Sequence, residues 1–317
     1  MDLKTVISHI KKHRSFIVCG HVNPDPDALC SMLAIRKLLQ NLGKQVRLVN
    51  NDVPLRWKDI PGINTVHTYD EKTKGADALI IVDCGSIDRI GRVAELMPKV
   101  KAVINIDHHV TNTKFGDVTY VDLRASSTSE IIFQLFKEAK VKIDRAAAHY
   151  LYAGIMTDTG SFRYENTTPR THEIAAELLT YGLQPSGMYS LYYEMLPARD
   201  AQLFCKVLNK FESLQEGHVL IVELSAMDIK KFSPEFDMKD MIFQFLRSIK
   251  GVELIIIFTA VSAKETRVNF RSSKRVDVAK LAASLGGGGH RRASGCTLSL
   301  SLKSAKRRVL EHIGEGV

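Results

Sequence analysis

The first half of the chain alternates short apolar runs with segments of helical period, and this alternation is what most limits its fold. Ser15–Cys19, Gln45–Val49, Ala78–Val82 and Ala102–Ile106 read as strands. Their apolar character does not alternate cleanly, as expected of strands in a parallel sheet covered on both sides. Between the first two lies Ala28–Leu42, with Leu29, Leu33, Leu38, Leu39 and Leu42 near the helical spacing and Gly43 as a C-cap. Ser126–Glu130 resembles the capped start of a helix over Ile131–Ala139. Asp144 opens another that runs to about Met156, and Thr168-Pro169 a third that Gly182 ends. The pattern predicts an α/β fold: an open, mostly parallel sheet with helices on both faces.

A length of 317 residues suits two domains of unequal size better than one core. The pattern loosens around Pro185, Gly187 and Pro197, which sets the expected boundaries: a domain over 1–185, a linker over 186–205, and a smaller α+β domain over 206–317. In the second domain the spacing predicts a helix over Ala198–Glu212, strands over His218–Leu224, Val252–Val261 and Thr266–Arg271, and a helix over Asp277–Leu285. Four glycines follow that helix directly.

No apolar run is long enough to cross a bilayer, so no membrane partner is expected. The N-terminus lacks the uninterrupted apolar stretch of a secretory signal. Five scattered cysteines form no CxxC pair and fit thiols kept reduced, so the expected setting is the cytoplasm. The formal charge of +9 favours anionic partners. From Lys264 onward there are 12 Lys or Arg against 4 Asp or Glu, which concentrates that excess near the C-terminus.

Four acidic or His-bearing motifs stand at or just after predicted strand ends, where open α/β sheets bind their ligands. They are His21-Val22-Asn23-Pro24-Asp25-Pro26-Asp27, Asp83 after the Ala78–Val82 run, Asp107-His108-His109 after Ala102–Ile106, and Asp158 at the end of an apolar helix. A single Asp after a strand is usually a turn or cap residue. Gathered at one sheet edge beside imidazoles, several carboxylates repel one another unless cations offset the charge. The mixture of Asp and His suits a first-row divalent ion such as Mn²⁺ better than Ca²⁺. There are more candidate ligands than one four-coordinate ion needs, so two metals is the economical count.

At these residues the sequence resembles the DHH phosphoesterase superfamily, and its length and glycine-rich C-terminal motif resemble the nanoRNase branch, bifunctional oligoribonucleases that also act as pAp phosphatases. The resemblance implies that His21, Asp25 and Asp83 hold one metal, and that Asp27, Asp83, His108 and Asp158 hold the other, with Asp83 bridging. It further implies that His109 faces the substrate phosphate without being a ligand, and that Asp107 orients the His pair. Arg163 is expected to join His109 in stabilising charge on the phosphoryl oxygens.

Gly286-Gly287-Gly288-Gly289-His290, followed by Arg291-Arg292 and preceded by Arg271-Ser272-Ser273-Lys274-Arg275, resembles the DHH-associated C-terminal motif. A backbone without side chains lets a nucleotide approach closely, and flanking cations grip its phosphate. Arg271, Gly288, His290 and Arg291 are the expected substrate-binding residues. The expected reaction is two-metal hydrolysis of short RNA oligonucleotides to 5′-mononucleotides, and of pAp to AMP. Linear dinucleotides (pGpG, pApA), inorganic pyrophosphate, or a non-catalytic RNA-binding role are the alternatives. The sequence allows a homodimer without requiring one.

Overall fold

A computed structural model describes residues 2–233, 236–273 and 276–314, so Lys274 and Arg275 of the basic run lie outside the described residues. The chain divides into two compact units, Met1–Met195 and Leu196–Val317.

The first unit runs α1 (Leu3–Lys12), β1 (Ser15–Cys19), α2 (Pro26–Asn41), β2 (Gln45–Asn50), β3 (Val66–Thr68), β4 (Ala78–Val82), β5 (Ala102–Asp107), β6 (Val118–Val121), α3 (Thr128–Glu138), α4 (Arg145–Asp158), α5 (Pro169–Leu179) and α6 (Pro185–Tyr193). Its six strands lie in the order β3-β2-β1-β4-β5-β6, and every pairing is parallel. Alternation along the central strands divides the core. Phe16, Val18, Ile80 and Ile104 face one side and pack against α2, α3 and α4. Ile17, Leu79, Ile81 and Val103 face the other side, where Ile90, Val93 and Leu96 cover them. Those three residues belong to a run of 3₁₀ turns over Ile87–Lys99, so that face is closed by tight turns more than by an α-helix. The sheet is open and covered on both faces, as the sequence predicts.

The second unit runs α7 (Ala198–Leu208), β7 (Glu212–Leu214), β8 (Val219–Leu224), α8 (Ala226–Lys231), α9 (Met238–Arg247), β9 (Leu254–Ser262), β10 (Glu265–Ser272), α10 (Val278–Ser284), β11 (Gly288–His290), β12 (Ala293–Leu298) and α11 (Leu302–Gly314). Its sheet is mixed, in the order β11-β12-β10-β9-β8-β7, with β8 and β9 parallel and the other pairs antiparallel. Val278, Ala282 and Val309 cover one face and Phe204, Ile242 and Phe243 the other.

Three local readings change. The expected helix over Ala198–Glu212 stops at Leu208, and Glu212–Leu214 becomes an edge strand. The segment 186–205 is largely helical: Pro185 starts α6 and Pro197 is the N-cap of α7, so these prolines begin helices where the sequence suggests interruption. Part of the glycine run is itself a strand, because β11 pairs with β12 through Gly288↔Gly295 and Gly289↔Ser294. A β-carbon on Gly289 would meet the Ala293 carbonyl at 2.7 Å, which leaves no room for a side chain there. Among the described residues, no helix is long and apolar enough to cross a membrane.

Candidate metal centre

The strand order reverses between β1 and β4, and the loops leaving their C-terminal ends border the crevice where open α/β sheets bind ligands. His21 lies two residues beyond β1. Asp25 is the N-cap of α2 and accepts a hydrogen bond from the Ala28 N–H at 3.0 Å. Asp27 lies in the first turn of that helix. Asp83 follows β4 directly in a left-handed conformation (φ 55°), which costs a non-glycine residue energy and turns its side chain off the strand path. Asp107 ends β5, with His108 and His109 next in the chain. Asp158 is the last residue of α4.

These residues form two corners. In the first, His21 Nε2 lies 3.8 Å from Asp25 Oδ2 and 3.7 Å from Asp83 Oδ2. His21 Nδ1 lies 2.8 Å from the Val22 carbonyl and donates its N–H there, so Nε2 is the nitrogen that faces the corner. In the second, His108 Nε2 lies 3.5 Å from Asp83 Oδ1 and 3.6 Å from Asp158 Oδ2, and Asp27, His108 and Asp158 offer ligand atoms within 4.8 Å of one another. Asp83 meets the second corner through His108 and the neighbouring His109, whose Nδ1 lies 3.8 Å away. His109 Nδ1 is closer to Asp107 Oδ1, at 2.7 Å, and its N–H donates to that carboxylate.

Several supporting groups were not marked as functional by their sequence. The run Ser126–Glu130 reads only as a helix start, yet it grips the acidic cluster. Thr128 N–H donates to Asp27 Oδ2 at 2.8 Å, Ser129 N–H to Asp27 Oδ1 at 3.1 Å, and the Thr128 hydroxyl to Asp83 Oδ1 at 2.9 Å. Asn112 donates to Asp107 Oδ2 at 2.7 Å and to Asn105 Oδ1 at 2.8 Å, steadying the carboxylate that holds His109. The missing signal is long-range: Thr128 stands 101 residues from Asp27.

The electrostatics fit a cation site. Burial raises the Asp27 carboxyl, and the Asp83 charge adds to this, bringing it to about 7. Burial, followed by the charge of Asp27, holds Asp158 well above the usual carboxylate range. Burial alone would lower His108, but Asp83, Asp158 and Asp27 together push it up to about 10. His21 rises against burial to about 9 through Asp25 and Asp83, while Asp25 is drawn down to about 2 against burial by its His21 partner. The cluster retains protons that divalent cations would displace. Donor atoms 3.5–3.8 Å apart are close enough for one ion to touch both, since each ligand bond to such an ion is about 2.0–2.2 Å long. The donor set therefore fits divalent metals.

The DHH family N-terminal domain matches residues 15–155, and the DHHA1 domain matches residues 223–315. A Streptococcus mutans protein described as a probable bifunctional oligoribonuclease and PAP phosphatase NrnA is 33% identical over 297 residues, covering 92% of both chains. The chain belongs to the DHH family. Bifunctional oligoribonucleases and PAP phosphatases NrnA of Thermus thermophilus and Bacillus subtilis are 32% and 30% identical, over 94% and 92% of this chain and 89% and 92% of their own. A crystal structure of an exopolyphosphatase-related protein from Bacteroides fragilis shares the fold, with a TM-score of 0.90 at 23% identity over 99% of this chain and 95% of that one.

Within the DHH unit, Arg163 lies in the turn after α4. It is exposed, and its Nε donates to the Gly160 carbonyl at 2.7 Å. In the DHHA1 unit, β10 and β12 pair Arg271 with Ala293, two residues after Arg291. The Arg271 guanidinium stacks over the Phe243 ring, 4.6 Å from its centroid, and donates to the Phe270 carbonyl at 3.1 Å. Arg291 is exposed in the turn between β11 and β12, and its carbonyl accepts from the Val278 N–H at 3.0 Å. Gly288 starts β11 and a β-carbon there would meet nothing within 4 Å, so its open side is accessible. His290 ends β11, and its side chain lies outside the described residues.

Proposed function

We propose that this chain is a two-metal phosphoesterase that hydrolyses short RNA oligonucleotides to 5′-mononucleotides and pAp to AMP. The observation that carries this reading is the pair of ligand corners meeting at Asp83, in a chain whose full-length relatives are described as bifunctional oligoribonucleases and PAP phosphatases. His21, Asp25 and Asp83 would hold one divalent ion. Asp27, Asp83, His108 and Asp158 would hold the other, and the Asp and His donors suit Mn²⁺. Bound there, the ions would supply hydroxide near neutral pH and neutralise charge on the phosphoryl oxygens.

The protein groups divide the remaining work. Asp107 keeps the His109 proton on Nδ1 by accepting it at 2.7 Å, which fixes the ring and turns Nε2 toward substrate. Burial alone would lower His109, but Asp107 and Asp83 raise it, so it is readily protonated and can donate to a phosphoryl oxygen as charge develops. Arg163, in the turn after α4, adds a cation to stabilise charge on the phosphoryl oxygens. Arg271 and Arg291 supply charge-assisted hydrogen bonds to a terminal phosphate, and Gly288 and His290 admit the base and ribose. Grip on one end of the substrate favours oligomers of about two to five nucleotides over long RNA. Free cysteines at Cys19, Cys30, Cys84, Cys205 and Cys296 fit a reducing cytoplasm, and self-association as a homodimer is compatible with this chemistry.

The test is to load the purified protein with Mn²⁺ and follow a labelled RNA dinucleotide, a 24-nucleotide RNA, pAp, pGpG and pyrophosphate. Rapid conversion of the dinucleotide to mononucleotides and of pAp to AMP and phosphate is expected, with the long RNA slow. Phosphate release from pyrophosphate alone, or no turnover of the dinucleotide with any divalent ion, would overturn the proposal.

A further inference from the structure

Thr128 opens α3 and reaches two carboxylates from distant parts of the chain. Its backbone N–H donates to Asp27 Oδ2 at 2.8 Å, and its hydroxyl donates to Asp83 Oδ1 at 2.9 Å. Thr128 and both aspartates are buried. The two oxygens of Asp83 have different neighbours: Oδ2 lies 3.7 Å from His21 Nε2, and Oδ1 lies 3.5 Å from His108 Nε2. The backbone of Asp83 directs its β-carbon, but the last torsion of a carboxylate is broad and roughly two-fold. Something outside Asp83 must therefore choose the plane of its carboxylate. Oδ1 has two lone pairs, so it can accept the Thr128 hydroxyl and still face His108.

The turn that carries Thr128 is itself braced. The Ser126 N–H and hydroxyl donate to Glu130 Oε2 at 3.1 and 2.6 Å, and the Thr171 hydroxyl donates to the same oxygen at 3.2 Å. Arg170 Nε lies 3.2 Å from Glu130 Oε1. A buried carboxylate thus ties the turn to the start of α5.

We infer that Thr128 is a positioning residue for the metal centre, its hydroxyl setting the plane of the Asp83 carboxylate so that one oxygen faces each ligand corner. This rests on the metal-binding reading proposed above. A plainer role for Thr128, as a helix-starting residue whose backbone alone matters, predicts no effect of removing the hydroxyl on metal binding. Thr128→Val separates the two, because it is nearly isosteric and keeps the N–H bond to Asp27.

The experiment is calorimetric titration of the metal-free, full-length protein with Mn²⁺, comparing wild type, Thr128→Val and Thr128→Ser. Thr128→Val should bind at least one ion about 10–100-fold more weakly, the usual effect of losing a partner that orients a ligand. Thr128→Ser should stay near wild type, and the circular dichroism of all three metal-free proteins should coincide. If the valine does not fold, Thr128→Ala replaces it in the same comparison. Wild-type affinity for both ions in the hydroxyl-free variant, or a serine variant as weak as that one, overturns the inference. A wild-type protein that takes up no divalent ion overturns the metal reading and this inference with it.

Discussion

Gly154 on α4 lies against Asp27 so closely that a β-carbon on the glycine would collide with Asp27 Oδ1 and the Ser129 hydroxyl. Asp158 stands four residues further along the same helix, on nearly the same face. The missing side chain is what lets α4 approach α2 closely enough to bring Asp158 to His108.

Gly154→Ala should therefore damage the centre without replacing any ligand, by pressing on Asp27 and Ser129. Overpacking of this kind costs about 1–3 kcal/mol, and the displaced helix should carry Asp158 away from the second corner. Denaturant unfolding should show the loss of stability, and Mn²⁺ titration should show weaker binding.

His109 and Asp107 form a hydrogen-bonded pair beside the ligand corners. His109→Ala should keep its bound metal and lose on the order of 10²–10³ in turnover, the usual effect of removing one donor to a developing charge. Asp107→Asn should give a smaller fall in the same parameter, because an amide can still bond the ring but no longer favours its Nδ1 proton. Metal analysis and steady-state kinetics on the RNA dinucleotide distinguish these outcomes from ligand loss.

Much of this centre is legible in the sequence because strand ends announce themselves. The apolar runs Ser15–Cys19 and Ala78–Val82 coincide with β1 and β4, and β5 extends the predicted Ala102–Ile106 by one residue, so the positions of His21, Asp83 and Asp107 at the sheet edge follow from local pattern. The groups that orient them do not. Thr128 and Gly154 meet the cluster only after helices and strands far apart in the chain have packed, and Asn112 reaches Asp107 from a loop with no regular pattern. A helix start such as Ser126–Glu130 looks the same whether or not a carboxylate waits at its end. In the second unit, the Gly288–Gly289 backbone pairs as a strand although glycine disfavours strands, because the facing Ala293–Gly295 backbone lies too close for a β-carbon at Gly289.

Metal-free protein should lose stability as pH rises. His21 and His108 hold protons to about 9 and about 10 when folded, against 6.5 ordinarily. A raised folded pKa contributes stability fully below the unfolded value, and that contribution fades as pH climbs through the folded one. The window for the two histidines is thus from 6.5 to about 10, and Asp27, raised from 3.8 to about 7, adds an earlier loss between those two values. Melting temperature in chelator should fall across this window, and Mn²⁺ should flatten the slope by replacing the protons. A melting temperature in chelator that is constant or rising would contradict the assignment.

Arg271 should act on capture more than on chemistry. Its guanidinium is held by the Phe243 ring and the Phe270 carbonyl, which orders it before substrate arrives. Arg271→Ala should raise KM for pAp and the dinucleotide about 10–100-fold, the worth of one charged hydrogen bond of about 1.5–3 kcal/mol, and leave kcat within a few-fold. Separate kcat and KM values check this; a loss confined to kcat would place Arg271 at the reacting phosphate.

The proposed two-ion centre requires Asp83 to join both sites. The most direct measurement is bound Mn²⁺ per chain and dinucleotide turnover, followed in one titration for wild type and Asp83→Ala. Wild type should bind two ions, with turnover rising as the second site fills. Asp83→Ala should fail to hold both ions and lose activity on every substrate. An Asp83→Ala protein with full Mn²⁺ content and a near-normal rate would contradict the two-metal assignment.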